Sequence, residues 1–380
     1  MPPQPGQGPG ARATVAVVGG GLAGLHAARL LHRAGVGFQL LEARDRLGGR
    51  ILSVGVDGRE AADGFDLGPS WIWPDMQPAL AGLVGELGLP SFAQHSMGDV
   101  LLDRDPQGQP RRYPGMRQDP ASMRLAGGMG ALVRALARDL PRPSLRLGTR
   151  IAALELGDAG VTLRVVRSDG GEEALTADQV IVAVPPRLLE ATVAFTPALA
   201  PEVVRRWRDA ATWMAPHAKF LALYDRPFWR DAGLSGTVQS TAGPLAEIHD
   251  ATTASGAAAL FGFLGLAADR RDVLGVTALT RACLDQLARL FGPEAGRPSG
   301  TLLKDWAADG WTATGDDRRP AGHPLPTARS WITGQWRDCL ALAGSEVSEI
   351  APGYLAGAVD AAERAVSEVM ARLVVPAERG

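Results

Sequence analysis

The stretch TVAVVGGGLAGLHAARLLHRAGVGFQLLEARDRLGGR, Thr14 to Arg50, constrains the fold more than any other part of the chain. Thr14 to Val18 is a short apolar run rich in β-branched residues. Gly19, Gly21 and Gly24 follow in GxGxxG spacing, then Leu22, Leu25, Ala28 and Leu31 at helical period, then a second apolar run ending in Glu42. The order predicts strand, tight turn, helix, strand. Two of the glycines let the backbone turn and approach a pyrophosphate, the third lets helix and strand pack closely, and the helix N-terminus meets the phosphate charge. Glu42, about twenty residues on, is placed to accept hydrogen bonds from an adenosine ribose. With glycine at 47 of 380 positions, a bare GxGxxG arises by chance. Strand, helix and acid in the required places are what make it a dinucleotide site.

Glu42 argues against a 2′-phosphate, since two anions repel, but leaves NAD and FAD both open. The next residues bear on that choice. Arg44, Arg46, Gly48, Gly49 and Arg50 form RDRLGGR, a second glycine-hinged loop with fixed cations beside the first. Standing alone it reads as a solvated basic turn. Joined to the fingerprint, it resembles the flavin-containing amine oxidase family, in which this segment wraps the FAD pyrophosphate.

At 380 residues the chain is long enough for two domains. A formal charge of -2 and 46% hydrophobic residues describe an ordinary globular protein with no basic excess for nucleic acid. The two cysteines, Cys283 and Cys339, form no CxxC, and the six histidines show no HxH or HxxxH spacing, so neither a disulfide framework nor a metal site is expected. Residues 1–10, MPPQPGQGPG, read as a disordered tail. No secretory signal pattern and no run of 18 apolar residues occurs, so the expectation is a cytoplasmic protein without a membrane anchor, unlike family members that carry a C-terminal membrane helix.

The resemblance extends from Ala13 to Leu373 and is weakest from Pro74 to Leu125. It implies an α/β fold with a Rossmann-type FAD-binding domain, residues 11–73, 126–195 and 331–375, and a mixed-sheet substrate domain, residues 74–125 and 196–330. Gly68-Pro69-Ser70-Trp71-Ile72 looks like the family loop beside the isoalloxazine ring, although Trp71 and Trp73 read equally as core. Gly127-Gly128-Met129 resembles the glycine-led start of the helix before the second FAD segment, whose backbone near Ile151 would meet the adenine. Near the C-terminus, Gly344 and Glu346 in LALAGSE match the residues under the pyrophosphate and ribityl chain. Pro352-Gly353-Tyr354-Leu355 opens a helix whose N-terminus, at Leu355, would aim amide hydrogens and a positive dipole at the flavin pyrimidine edge.

The same resemblance supplies catalytic candidates. Lys219, in AKFLALYDRPFW, matches a flavin-facing lysine, and Trp306 a tryptophan near the flavin edge. Tyr354 matches one of two aromatics that flank the substrate nitrogen. The other falls near Gly315, where this chain has Asp316 and Asp317, leaving Trp311 or that acidic pair to complete the wall. No cysteine stands where some relatives link the cofactor, so FAD is expected to be non-covalent. Between Trp73 and Gly127 lie only about fifty residues, too few for the helical lobe that roofs the substrate tunnel of larger members. Substrate identity therefore does not carry over.

The implied reaction is oxidation of a small-molecule amine, with hydride moving from the carbon beside nitrogen to flavin N5, hydrolysis of the imine, and reoxidation by molecular oxygen to peroxide. The cofactor supplies the difficult chemistry, which suits a sequence with no GxSxG elbow, zinc motif or acid and base pair. An FAD-dependent desaturase or dehydrogenase of a carbon skeleton, of the carotenoid or porphyrinogen type, and a non-catalytic flavoprotein remain as alternatives. A homodimer is the further expectation if a second subunit completes the roof.

Overall fold

The computed structural model describes residues 11–115, 118–319, 322–327 and 330–374. The expected tail, residues 1–10, lies outside the described residues. The chain divides into two compact units, one made of Met1–Gly49, Leu136–Trp213 and His323–Gly380, the other of Arg50–Ala135 and Met214–Gly322. Residues 50–73 thus belong to the second unit and 196–213 to the first.

In the first unit the strand Ala11–Val18 lies between two parallel neighbours, Phe38–Leu41 and Glu172–Val182, with Val15 opposite both Phe38 and Gln179. Its inner residues Val15, Ala16 and Val17 are fully buried, which is why the run reads as continuously apolar and not alternating. The helix Leu22–Arg33 follows. It stops where Gly35 takes φ +72, the left-handed position that closes helix ends, and carries His32 and Arg33 in its last turn, where the dipole favours cations. Besides Ala11–Val18, Glu172–Val182 pairs with two further strands, antiparallel with Gly160–Arg167 and parallel with Leu340–Leu342. The sheet continues through Thr149–Gly157 to Ala194–Thr196 on one side and to Leu145–Arg146 on the other. The C-terminal helix Leu355–Val374 packs on Leu22–Arg33. Val203 and Trp207, from helix Pro201–Asp209, fill the same core as Leu154, Leu163 and Trp336.

The second unit is built on a seven-stranded sheet in the order Gly300–Asp305, Ala218–Tyr224, Ala258–Leu264, Leu245–Asp250, Leu234–Ser240, Asp99–Asp103, Arg111–Tyr113. All pairs are antiparallel except Leu234–Ser240 with Asp99–Asp103. Every residue of Ala218–Tyr224 is buried because both faces are covered. Ala218, Phe220, Ala222 and Tyr224 pack with Leu279, Cys283 and Leu287 of helix Ala268–Phe291, whereas Leu221 and Leu223 pack with Val54, Phe65 and Leu67. Strand alternation therefore sends Lys219 to the face covered by residues 65–71. The sequence predicts a helix over 276–291; the observed one begins at Ala268 and breaks at Gly275, whose φ of 71 separates two helical pieces. Among the described residues no helix is long and apolar enough to cross a membrane.

Candidate functional site

In the first unit the glycine fingerprint forms the turn that its spacing predicts. Gly19 has φ +103, and a Cβ there would stand 2.9 Å from the Ala183 carbonyl oxygen. A Cβ on Gly24 would come within 1.8 Å of the Gly19 carbonyl oxygen, so helix and turn approach as only glycine permits. Around Gly21 the nearest neighbours of such a Cβ are the Gly48 carbonyl oxygen at 3.9 Å and the Gly49 Cα at 4.0 Å, ordinary contact with bare backbone. Gly21 caps the helix without a side chain, and the first turn points its amide hydrogens the same way.

The basic loop is tied to this turn. Gly48 N–H donates to the Gly20 carbonyl at 2.8 Å, and Gly21 bridges to Gly48 in parallel fashion. Glu42 is buried, and its carboxylate accepts from Gly20 N–H at 2.6 Å and Arg44 N–H at 2.8 Å. It braces the two loops against each other and retains lone pairs for a hydroxyl. Arg44 is buried, while the Arg46 guanidinium turns back onto the Leu47 and Gly49 carbonyls. Bare glycine backbone and helix N-terminal amides to donate to phosphate, with a braced carboxylate to accept from a ribose, are what a dinucleotide requires.

The other expected contacts in this unit are also on its sheet and helices. Ile151 is buried at the irregularity of strand Thr149–Gly157. Gly344 follows Leu340–Leu342, with a virtual Cβ 3.0 Å from the Val184 carbonyl oxygen, and Glu346 is buried, accepting from the Ser345 hydroxyl. Leu355 begins the last helix. Gly353, at φ +81, fits against Trp213, where a Cβ would meet the indole Cβ at 2.6 Å. Tyr354 is 38% exposed and lies on the His323 ring, centroids 4.6 Å apart, and His323 in turn lies 4.4 Å from Trp213. Sequence reasoning missed His323 and Trp213, which no spacing rule links to Tyr354.

The second unit holds the other candidates. Lys219 is 2% exposed, and its ammonium donates to the Gly68 carbonyl at 3.1 Å and the Ser70 hydroxyl at 2.6 Å, over the Phe261 ring at 4.1 Å. Burial brings it down to about 7, opposed by the Asp66 carboxylate and reinforced by Arg124. Gly68 cannot be enlarged, because a Cβ would stand 1.9 Å from the Arg50 carbonyl oxygen. Trp306 is buried, with its indole N–H on the Leu67 carbonyl at 3.0 Å. Lys219 and Trp306 thus converge on residues 67–70. Trp311 is 46% exposed. Asp317 is buried and accepts from both the amide and hydroxyl of Thr314, so it holds its own turn; Asp316 is exposed.

Trp71 and Trp73 are partly buried and hydrogen-bonded, to Gln94 and Ser122 respectively, and Trp71 meets His249 and Phe261 edge-on or tilted. Asp66, Phe261, Phe263 and Arg124 surround Lys219 or its charge without having been singled out from sequence. The period-2 pattern of Ala258–Leu264 was the available signal for the two phenylalanines.

The sequence pattern described as flavin containing amine oxidoreductase matches residues 22–120 and 109–370. The chain is 28% identical over 464 aligned positions to a putative flavin-containing monoamine oxidase, AofH, of Mycobacterium tuberculosis, covering 94% of this chain and 97% of that protein. It is 29% identical to a putrescine oxidase of Kocuria rosea over 78% of this chain and 83% of that one. A solved cyclohexylamine oxidase from Brevibacterium oxydans shares the fold at a TM-score of 0.77 and 21% identity, covering 96% of this chain and all (100%) of that one. With both matched stretches together spanning nearly the whole chain, the protein belongs to the flavin-containing amine oxidoreductase family and is an FAD-dependent oxidoreductase of the amine oxidase kind.

Proposed function

We propose that the chain binds FAD non-covalently and oxidises a small-molecule amine at the carbon beside nitrogen, passing the electrons to molecular oxygen. When bound, the flavin supplies a two-electron acceptor that takes a hydride and later returns the electrons to oxygen as peroxide, with the imine hydrolysed by water. The observation that carries this reading is the buried Lys219 ammonium, held by two neutral acceptors, Gly68 O and Ser70 Oγ, over an aromatic ring. A compact charge so held favours negative charge as electrons leave for oxygen.

Gly19, Gly21, Gly24 and Glu42 would hold the adenosine and pyrophosphate, with Arg44, Gly49 and Arg50 as further candidates for the cradle and the Ile151 backbone for the adenine. Gly344, Glu346 and the helix N-terminus at Leu355 are the first unit's candidates for the flavin end, and Gly68 and Trp306 the second unit's. Tyr354 offers a half-exposed ring face to the amine; Trp311 is the exposed candidate for a second wall. Both cysteines support non-covalent attachment: Cys283 and Cys339 are buried, and burial pushes their thiols up to about 12 and about 11. With too few residues from 74 to 125 for a helical roof, the substrate side would be open, giving loose discrimination among amines or a roof completed by a second subunit in a homodimer.

An amine panel tests this directly. Anaerobic addition of a substrate amine should bleach the flavin, and admitting oxygen should restore the colour with one peroxide per turnover. Bleaching without reoxidation by oxygen would make the chain a dehydrogenase, and no bleaching by any amine would overturn the substrate class.

A further inference from the structure

Among the described residues Lys219 has no carboxylate in hydrogen-bond contact, and its Nζ bonds the Gly68 carbonyl and the Ser70 hydroxyl. Two residues before Gly68, on strand Phe65–Asp66, is the carboxylate of Asp66, itself wholly enclosed. Asp66 Oδ1 accepts from the Ser53 hydroxyl and from Met129 N–H at 2.8 Å, whereas Oδ2 is buried with no hydrogen-bond partner among the described residues. An enclosed carboxylate oxygen without a donor costs free energy unless a nearby charge compensates it. Arg124 is the third member, buried, with its Nη1 and Nη2 on the Thr252 and Ala251 carbonyls and its Nε without a hydrogen-bond partner. Burial works against the charge on all three: it holds Asp66 above the usual carboxylate range, opposed by the Lys219 and Arg124 cations, and holds Lys219 and Arg124 below their ordinary values, opposed by the Asp66 carboxylate.

We propose that Asp66 is a positioning residue for the oxidase site: its carboxylate sets the charge carried by Lys219, and Arg124 opposes it. The other charged groups near Lys219 are already matched. Lys304, directly opposite on Gly300–Asp305, bonds Asp309 at 2.6 Å. Asp305 holds Arg271, and Glu247, one strand beyond Phe263, holds His249 at 2.6 Å. Asp66 stands two and four positions before Gly68 and Ser70, the two residues that hold Nζ. It and Arg124 act on Lys219 in opposite senses, burial being the larger influence. The consequence for catalysis rests on the reading that Lys219 assists reoxidation.

The sequence makes the test simple, because Lys219 and Lys304 are its only lysines. Lysine labelled with carbon-13 at Cε gives two resonances in the flavin-loaded enzyme, and the Lys304 signal serves as internal reference. Asp66→Asn should move the Lys219 titration down by about one pH unit or more, and Arg124→Gln should move it up. A merely structural lesion has no reason to give opposite signs in the two variants. Both moving the same way, or neither moving, overturns the proposal. If Asp66→Asn does not accumulate as folded protein, Arg124→Gln decides alone, and a downward or absent shift overturns it. Reoxidation rate against pH, measured on the same samples, separates the two readings. A resonance that shifts while the rate profile stays fixed leaves the charge assignment standing and removes Lys219 from the oxygen step.

Discussion

Gly24 lies against Gly19 so closely that a Cβ at position 24 would stand 1.8 Å from the Gly19 carbonyl oxygen. The obstacle is backbone, with no soft side chain to yield, so a methyl group must displace the helix Leu22–Arg33 from the turn. Gly24→Ala should therefore destabilise the first unit by about 3 kcal/mol or more and empty the flavin site. Flavin content and thermal unfolding measure both; a variant that purifies yellow with unchanged melting would mean that the fingerprint does not hold the cofactor.

Glu42 does two things at once, accepting from Gly20 and Arg44 amides and offering its remaining lone pairs to a ribose hydroxyl. Glu42→Lys leaves two buried amides without an acceptor, at about 1–3 kcal/mol each, and places a cation there. Flavin loading should be lost. Normal occupancy in this variant would show that the adenosine lies elsewhere.

The buried ammonium makes stability depend on pH. Lys219 is lowered from 10.5 to about 7, so between those values the unfolded chain binds more protons than the folded one and stability rises with pH. The cost is fully present below about 7 and gone above about 10.5. Lys219→Met removes it, so the variant should be most favoured relative to wild type at pH 7 and below, losing about 3–5 kcal/mol of that advantage across the window, at roughly 1.4 kcal/mol per unit. Denaturant unfolding at several pH values gives the difference; a constant offset would place the lysine in contact with water.

Non-covalent attachment has a direct consequence. Acid precipitation should leave a yellow supernatant and a colourless pellet, since both thiols are enclosed. Colour that stays with the pellet would identify a covalent link through another side chain.

Much of the first unit was legible because its signals are local. A β-branched run, three spaced glycines and an acid are all read off one short stretch, and the braced loops follow from them. The helix Leu355–Val374 was equally plain from its apolar period. What sequence did not reveal is the company that Lys219 keeps. Asp66 and Ser70 stand about 150 positions away along the chain, and Phe261 faces the ammonium only because antiparallel register sets Leu221 against it. Charge at a distance through a folded interior leaves no spacing to read. The acidic pair after Trp311 looked like a pocket wall, yet Asp317 spends its carboxylate on Thr314. A turn of this kind is indistinguishable from a site until its hydrogen bonds are seen.

The central claim, a flavin oxidase in which Lys219 promotes reaction with oxygen, is tested most directly by stopped-flow mixing. Wild type and Lys219→Met, each reduced anaerobically by a substrate amine, are mixed with oxygen below pH 7, where the ammonium is charged. A charge in this setting contributes about 3 kcal/mol, so the account predicts reoxidation about two orders of magnitude slower in the variant, with flavin content unchanged. Equal reoxidation rates in the two proteins would contradict it.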